Sequence, residues 1–180
     1  MSASAFTLYG DRRSGNCLKI VYAADWLGLV YSFVDIDIMT GESRTPEFLA
    51  VNPAGQVPAV DFGGGKTLAQ SNAVLLFLAE NSTLLPQDPF LRAKVNEWLF
   101  WEQYSHEPYV SVCRFHMVYQ GKAASEREAW RVERAEAALD HMEAHLAGKS
   151  FLVGETLTVA DIALLAYTRL AAEGGFDLSR

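Results

Sequence analysis

Four short stretches of the chain combine residue types and spacing that could do chemistry. The first runs from Leu8 to Cys17: a strand, the loop Gly10-Asp11-Arg12-Arg13, and a helix opened by Ser14. A helix N-terminus carries unpaired backbone N–H groups and a partial positive charge, and both favour an anion there. A hydroxyl at that point can donate to a thiolate, or it can be a plain N-cap. Cys17 follows at a C-x-x-C spacing, but Ser14 holds the attacking position, so Cys17 reads as buried packing without a catalytic role.

The second stretch is Asn52-Pro53-Ala54-Gly55-Gln56-Val57-Pro58, a turn leading into a strand. Proline gives no N–H to a ladder and belongs at a strand start or edge. The Val57-Pro58 bond is a candidate for the cis form, exposing backbone groups to an extended peptide. Only about 5–6% of such bonds are cis, so an ordinary trans turn remains open. The third stretch, Gln70-Ser71, makes a second anion-friendly helix start or a second simple cap. The fourth, Thr158-Val159-Ala160-Asp161, reads as a capping box, with Leu157 and Ile162 spaced as a hydrophobic staple. Asp161 is therefore structural, not a catalytic acid.

The elements that position these stretches can be read from periodicity and punctuation. Ala5 to Tyr9 and Tyr31 to Ile36 read as strands, and Ser14 to Trp26 as a helix stopped by Gly28. Thr45 caps a short helix to Ala50, with Pro46 at its first position. Val57 to Phe62 and Thr67 to Gln70 form a hairpin about Gly63-Gly64-Gly65-Lys66. Ser71 opens a helix to about Glu80. The first half is thus α/β, in the order βαβαββα.

Composition changes after Asn81, where residues 81–88 read as a linker. Asp88 caps a helix carrying Leu91, Val95, Trp98, Leu99 and Trp101, and Pro108 should kink or interrupt it. Ser125 is expected to cap the next, whose apolar positions Val132, Ala135, Leu139, Met142 and Leu146 recur every three or four residues. Thr158 to about Ala172 forms a last, very apolar helix. The second half is all-α.

The chain has 180 residues, half of them hydrophobic, and a net charge of −7. With no basic run, a nucleic-acid partner is not expected. Neither is a membrane span or a secretory signal. Two cysteines, Cys17 and Cys113, make no disulfide framework and suit a reducing cytosol. No metal is expected: His106, His116, His141 and His145 share no ligand set with them, and His141 and His145 read as a solvated helix face.

Together the motifs resemble the cytosolic glutathione S-transferases, from Phe6 to about Arg180. Leu8-Tyr9 through Ser14-Gly15-Asn16-Cys17 resembles the serine-type classes, such as theta, phi and many bacterial members. Asn52-Pro53-x-Gly55-x-Val57-Pro58 resembles the loop that meets the glutathione backbone, and Gln70-Ser71 the motif at its γ-glutamyl end. Gly154 with Thr158-x-x-Asp161 resembles the folding motif of the helical domain. Each motif alone is weak to moderate; four in this order are strong.

The resemblance implies a thioredoxin-like glutathione-binding domain over residues 1–80 and an all-helical bundle over 89–180. It implies glutathione as cosubstrate, an apolar electrophile as its partner, a homodimer and a cytoplasmic location. Ser14 would hydrogen-bond the glutathione sulfur. Asn16, two residues on, matches a bacterial subgroup with disulfide-reductase activity and leaves the main thiol contact open between the two. Val57, before a cis Pro58, would pair with the cysteinyl part. Gln70 and Ser71 would hold the γ-glutamyl end; Gln56, with a looser match at Ser43 and Arg44, would meet the glycyl end. Tyr104, His106, Tyr109, Phe115 and Tyr119 would serve an electrophile pocket between the domains, or else pack in the core or a dimer. Related chains usually continue for another helix or so, which implies an open pocket or a shortened chain. A glutathione-dependent disulfide reductase or peroxidase, and a non-catalytic binding protein of the same fold, are the rival readings.

Overall fold

The computed structural model describes residues 6–179; Ala5, expected to open the first strand, and Arg180 lie outside them. The chain divides between Ser82 and Thr83 into two compact units.

The first unit runs β1 (Phe6–Gly10), α1 (Gly15–Trp26), β2 (Tyr31–Asp35), α2 (Pro46–Val51), β3 (Ala59–Asp61), β4 (Thr67–Ala69) and α3 (Ser71–Ala79). Its four-stranded sheet has the order β2-β1-β3-β4. β1 is parallel to β2 and antiparallel to β3, so Leu8 lies between Phe33 and Val60. This is the thioredoxin-like arrangement. Alternation along β1 sends Phe6 and Leu8 into a core with Ile20, Ala24, Val60 and Val74. At the end of β1, a Cβ on Gly10 would come within 2.8 Å of Cys17 Sγ, so glycine there lets α1 close onto the strand. β3 is shorter than the expected Val57–Phe62. Pro58 has no N–H for the ladder, and the Phe62 N–H donates to the Lys66 carbonyl, closing the hairpin turn at 2.9 Å.

The second unit is helical: α4 (Pro89–Trp101), α5 (Glu107–Val118), α6 (Ala129–Leu146) and α7 (Val159–Thr168). Asp88 caps α4, its carboxylate accepting the Leu91 N–H at 2.8 Å. Between α4 and α5 the chain makes a π-helical turn, Glu102–His106, with Pro108 just inside α5. A wider turn removes the demand for a Pro108 N–H and the ring's clash with the preceding carbonyl, so the expected break becomes a bulge. Val110, Cys113, Ala135, Leu139, Tyr167, Ala171 and Phe176 form a core.

Three expectations here are corrected. Ser125 does not cap α6; it sits in a 3-10 turn, Ala124–Glu126, where the Glu126 carboxylate takes the Ala123 N–H at 2.7 Å. The helix proper starts after Glu128. α7 ends at Thr168, whose hydroxyl donates back to the Leu164 carbonyl at 2.7 Å, and a 3-10 turn, Ala171–Gly174, follows. His141 and His145 do not form a purely solvated face: both rings lie against Trp98, and His145 Nε2 meets the Leu152 carbonyl at 2.9 Å.

Candidate functional site

The loop between β1 and α1 is organised by Asp11. Its buried carboxylate accepts the Arg13 N–H at 2.8 Å and the Arg13 side chain at 2.9 Å. Its carbonyl accepts the Ser14 N–H at 2.9 Å, bringing the chain round to start the helix. Ser14 occupies the N-cap with extended backbone, yet its side chain makes no cap hydrogen bond. No acidic residue stands in the first turn of α1. Cys17, fully buried behind it, has its thiol pushed up to about 11 by burial, against a smaller downward pull from a Ser14 hydrogen bond. At that value it is a packing thiol, not a nucleophile.

The Asn52–Pro58 loop forms one wall of a small polar cleft. The Asn52 amide donates to the Gln56 carbonyl at 2.7 Å and its oxygen accepts the Ala54 N–H at 3.2 Å, which fixes the turn from inside. Gly55 has a φ of +63°, and Arg44 lies so close across it that a Cβ would sit 2.2 Å from its guanidinium nitrogen. Arg44 is held there by donating to the Ala54 carbonyl at 3.0 Å. The Val57-Pro58 bond is cis.

The start of α3 forms the opposite wall. Gln70 holds a φ of +68° and ψ of 109°, backbone that long side chains rarely adopt. Such outliers cost of order 1–3 kcal/mol and cluster at ligand sites. Ser71 is buried and donates to Asn16 Oδ1 at 3.1 Å. Beneath it lies Lys19, fully buried, with Nζ 3.4 Å from Ser71 Oγ and 3.2 Å from Asn72 Oδ1.

The structure thus brings Asn16, Gln56, Val57, Pro58, Gln70 and Ser71 around one cleft, with Asn52 beside them. Ser14, two residues before Asn16, is half-buried and does not line it. Lys19, Asn52 and Asp11 carry much of this geometry; Asn52 and Asp11 stood in the quoted motifs without a role of their own, and Lys19 escaped the sequence reading. A lysine within the apolar run Cys17-Leu18-Lys19-Ile20-Val21 was the one available signal.

The aromatic residues of the second unit do not form a matching group. Tyr104 is 81% exposed, whereas His106 is fully buried, its Nε2 3.0 Å from the Thr168 hydroxyl. His106 therefore offers no surface to a ligand: the π turn rotates it inward. Tyr109 accepts from Arg134 at 2.9 Å and meets the edge of Trp130, and Phe115 stacks on Tyr119. Among the described residues, no cluster of His, Cys, Asp or Glu could hold a metal ion, and no helix is long and apolar enough to cross a membrane.

Comparison with known proteins gives the family. Residues 4–80 match the glutathione S-transferase N-terminal domain and residues 122–172 the C-terminal domain. The chain belongs to the glutathione S-transferase family. Among its relatives, glutathione S-transferase 3 of Zea mays is 34% identical over 163 residues, spanning 86% of this chain and 72% of its own. A crystal structure of a glutathione S-transferase from Pseudomonas fluorescens Pf-5 superposes with a TM-score of 0.93, at 48% identity, over 97% of this chain and 88% of that one. A glutathione transferase from Pseudomonas putida, solved with glutathione disulfide bound, has a TM-score of 0.81 at 26% identity, over 94% of this chain and 76% of its own.

Proposed function

We propose that this chain is a glutathione transferase of the bacterial serine type, conjugating glutathione thiolate to small apolar electrophiles. The observation that carries the reading is the cleft itself, where two helix N-termini and a cis-proline loop converge. Ser71 and Gln70, at the start of α3, receive the γ-glutamyl end. The Val57 backbone pairs with the cysteinyl part. Gln56, with Arg44 beside Gly55, takes the glycyl carboxylate. The sulfur then falls at the start of α1, within reach of Ser14 and Asn16. Tyr104, which is exposed, with the half-buried Tyr109 and Phe115, serves an apolar electrophile. The enzyme works in the cytoplasm as a homodimer.

The nucleophile belongs to the cosubstrate, so the protein's task is to favour the thiolate. A free thiol of pKa ~8.5 is a few per cent ionised at pH 7. Lowering it by about two units takes ~2.7 kcal/mol. A hydrogen bond to a charged group supplies roughly 1.5–3 kcal/mol and a helix N-terminus ~0.3–1. One or two donors at the start of α1 suffice for that shift, and further acceleration comes from holding the electrophile in line.

The ultraviolet absorbance of bound glutathione thiolate, titrated with pH, tests the reading. The bound thiol should titrate well below the free value, and Ser14→Ala should raise it by about one unit. No thiolate signal at any accessible pH would rule the transferase reading out and leave a binding protein. A second reading, reduction of glutathione mixed disulfides, is favoured by Asn16, which lines the cleft and is tied to Ser71. The glutathione disulfide held by the Pseudomonas putida relative points the same way. Turnover of a mixed disulfide without conjugation of an aryl halide would select it.

A further inference from the structure

Lys19 is the largest of the fully buried side chains, and it is a lysine. It sits on α1 but reaches to the start of α3, a separation of 52 residues to Ser71. A cation beside a helix N-terminus is unfavourably placed with respect to the helix dipole, and burial adds a desolvation cost. Its hydrogen bonds to Ser71 and Asn72 offset part of that cost.

The donors and acceptors of this cluster have a fixed direction. An ammonium has three N–H donors and no acceptor, so Lys19 can only donate. It donates to Asn72 Oδ1 at 3.2 Å and to Ser71 Oγ at 3.4 Å. Ser71 has a single hydroxyl proton, and with Lys19 donating to its oxygen that proton is directed to Asn16 Oδ1, 3.1 Å away. The Asn16 amide then has its oxygen toward Ser71 and its NH2 turned the other way. Asn16 lines the cleft in the first turn of α1.

We propose that Lys19 is a positioning residue: by donating to Ser71 it orients the Asn16 amide so that its NH2 faces the glutathione sulfur. This rests on the transferase reading, and it gives Asn16 the role of a thiolate donor beside Ser14. It also couples the γ-glutamyl end of glutathione to its thiol, because Ser71, whose backbone N–H receives that end, is the link through which the amide is set. Without Lys19 the Ser71 hydroxyl can rotate, the Asn16 amide can flip, and its oxygen rather than its NH2 can face the sulfur.

The test uses the whole protein saturated with glutathione, reading the pKa of the bound thiol by thiolate absorbance. Circular dichroism and a thermal melt report folding of each variant. Lys19→Met removes the charge and keeps the bulk. It should raise the bound-thiol pKa by about one unit, the worth of one hydrogen bond to an ionised group, and cut the thiolate fraction about tenfold at a pH below both pKa values. Ser71→Ala should raise it similarly, and Lys19→Met added to Ser71→Ala should do nothing further. Asn16→Asp, which replaces the donating NH2 by an acceptor, should raise it more than either. A folded Lys19→Met that keeps the wild-type bound-thiol pKa overturns the proposal while the transferase reading stands. A wild type that never lowers the thiol pKa overturns both. Should Lys19→Met fail to fold, an unchanged pKa in Ser71→Ala or Asn16→Asp overturns the proposal on its own.

Discussion

The starts of α1 and α3 differ from those of α2, α4, α6 and α7; α5 continues from α4 through the π turn and has no start of its own. α2 has Glu47 in its first turn and α7 has Asp161, while α4 and α6 carry Asp88 and Glu128 at the N-cap. Each of these carboxylates meets the positive end of its helix dipole from within the chain. α1 and α3 have none: Ser14 and Gln70 stand at their N-caps, without a side-chain cap bond and with no acid in the first turn. Where the chain supplies its own anion, the helix start is finished structure. Where it withholds one, the start can take an anion from outside, and under the transferase reading these two starts take the thiolate and the γ-glutamyl carboxylate.

Removing a carboxylate where one is present is the strongest way to probe this contrast. Asp161 accepts the Leu152 N–H at 2.7 Å, the Thr158 N–H at 2.8 Å and the Thr158 hydroxyl at 2.9 Å. Asp161→Ala leaves these donors unmet around a nearly fully buried Thr158. It should cost about 3 kcal/mol of stability, measured by urea unfolding. The bound-thiol pKa of the protein that remains folded should not move. A loss under about 1 kcal/mol would mean that the closed starts are no more structural than the open ones.

Adding a carboxylate where none is present should do the reverse. Aspartate caps a helix at least as well as serine, so Ser14→Asp should leave stability unchanged or slightly raised. The same carboxylate would repel the thiolate and remove a donor. The bound-thiol pKa should rise by about two units, ~2.7 kcal/mol against the thiolate. If thiolate formation survives Ser14→Asp, the start of α1 is not where the sulfur ionises.

The contrast also explains what could be read from the residues alone. Caps are local: Thr158 and Asp161 are three residues apart, and Asp88 and Pro89 are adjacent, so their roles follow from spacing. The βαβαββα order was equally legible, because each element is punctuated by Gly, Pro or a cap. Lys19 was not, because its burial depends on a partner 52 residues away. Ser125 misled for the opposite reason: a strong local cap signal lost to Glu126 folding back on Ala123. His106 turned inward because a π turn shifts helical phase, which no 3.6-residue periodicity anticipates.

Cys17 marks the limit of the idea that a helix N-terminus activates whatever thiol it meets. It lies in the first turn of α1, yet burial raises its thiol from an ordinary 9.0 to about 11. An unfolded chain loses this proton near 9 and the folded chain holds it until about 11. Between those values the folded state binds more protons, so its stability falls as pH rises. The advantage of wild type over Cys17→Ala in urea unfolding should be constant below pH 8. It should then shrink by about 2 kcal/mol as the pH reaches 11. A constant gap across that window would mean that Cys17 ionises alike in both states.

Gln70 offers the smallest and most selective perturbation. Its φ of +68° lies where only glycine is at ease, and its side chain is exposed, so little packing compensates for the backbone. In a helix start kept only for structure, a residue at ease there would serve as well. Gln70→Gly should relieve the strain and raise stability by about 1 kcal/mol, a shift of a few degrees in Tm. If the strained glutamine holds the γ-glutamyl end, the same change should weaken glutathione binding about fivefold to tenfold, the worth of one hydrogen bond. A stability gain with affinity intact would mean that the start of α3 is open for some reason other than this ligand. Loss on both counts would mean that Gln70 supports the fold through contacts that outweigh its backbone strain.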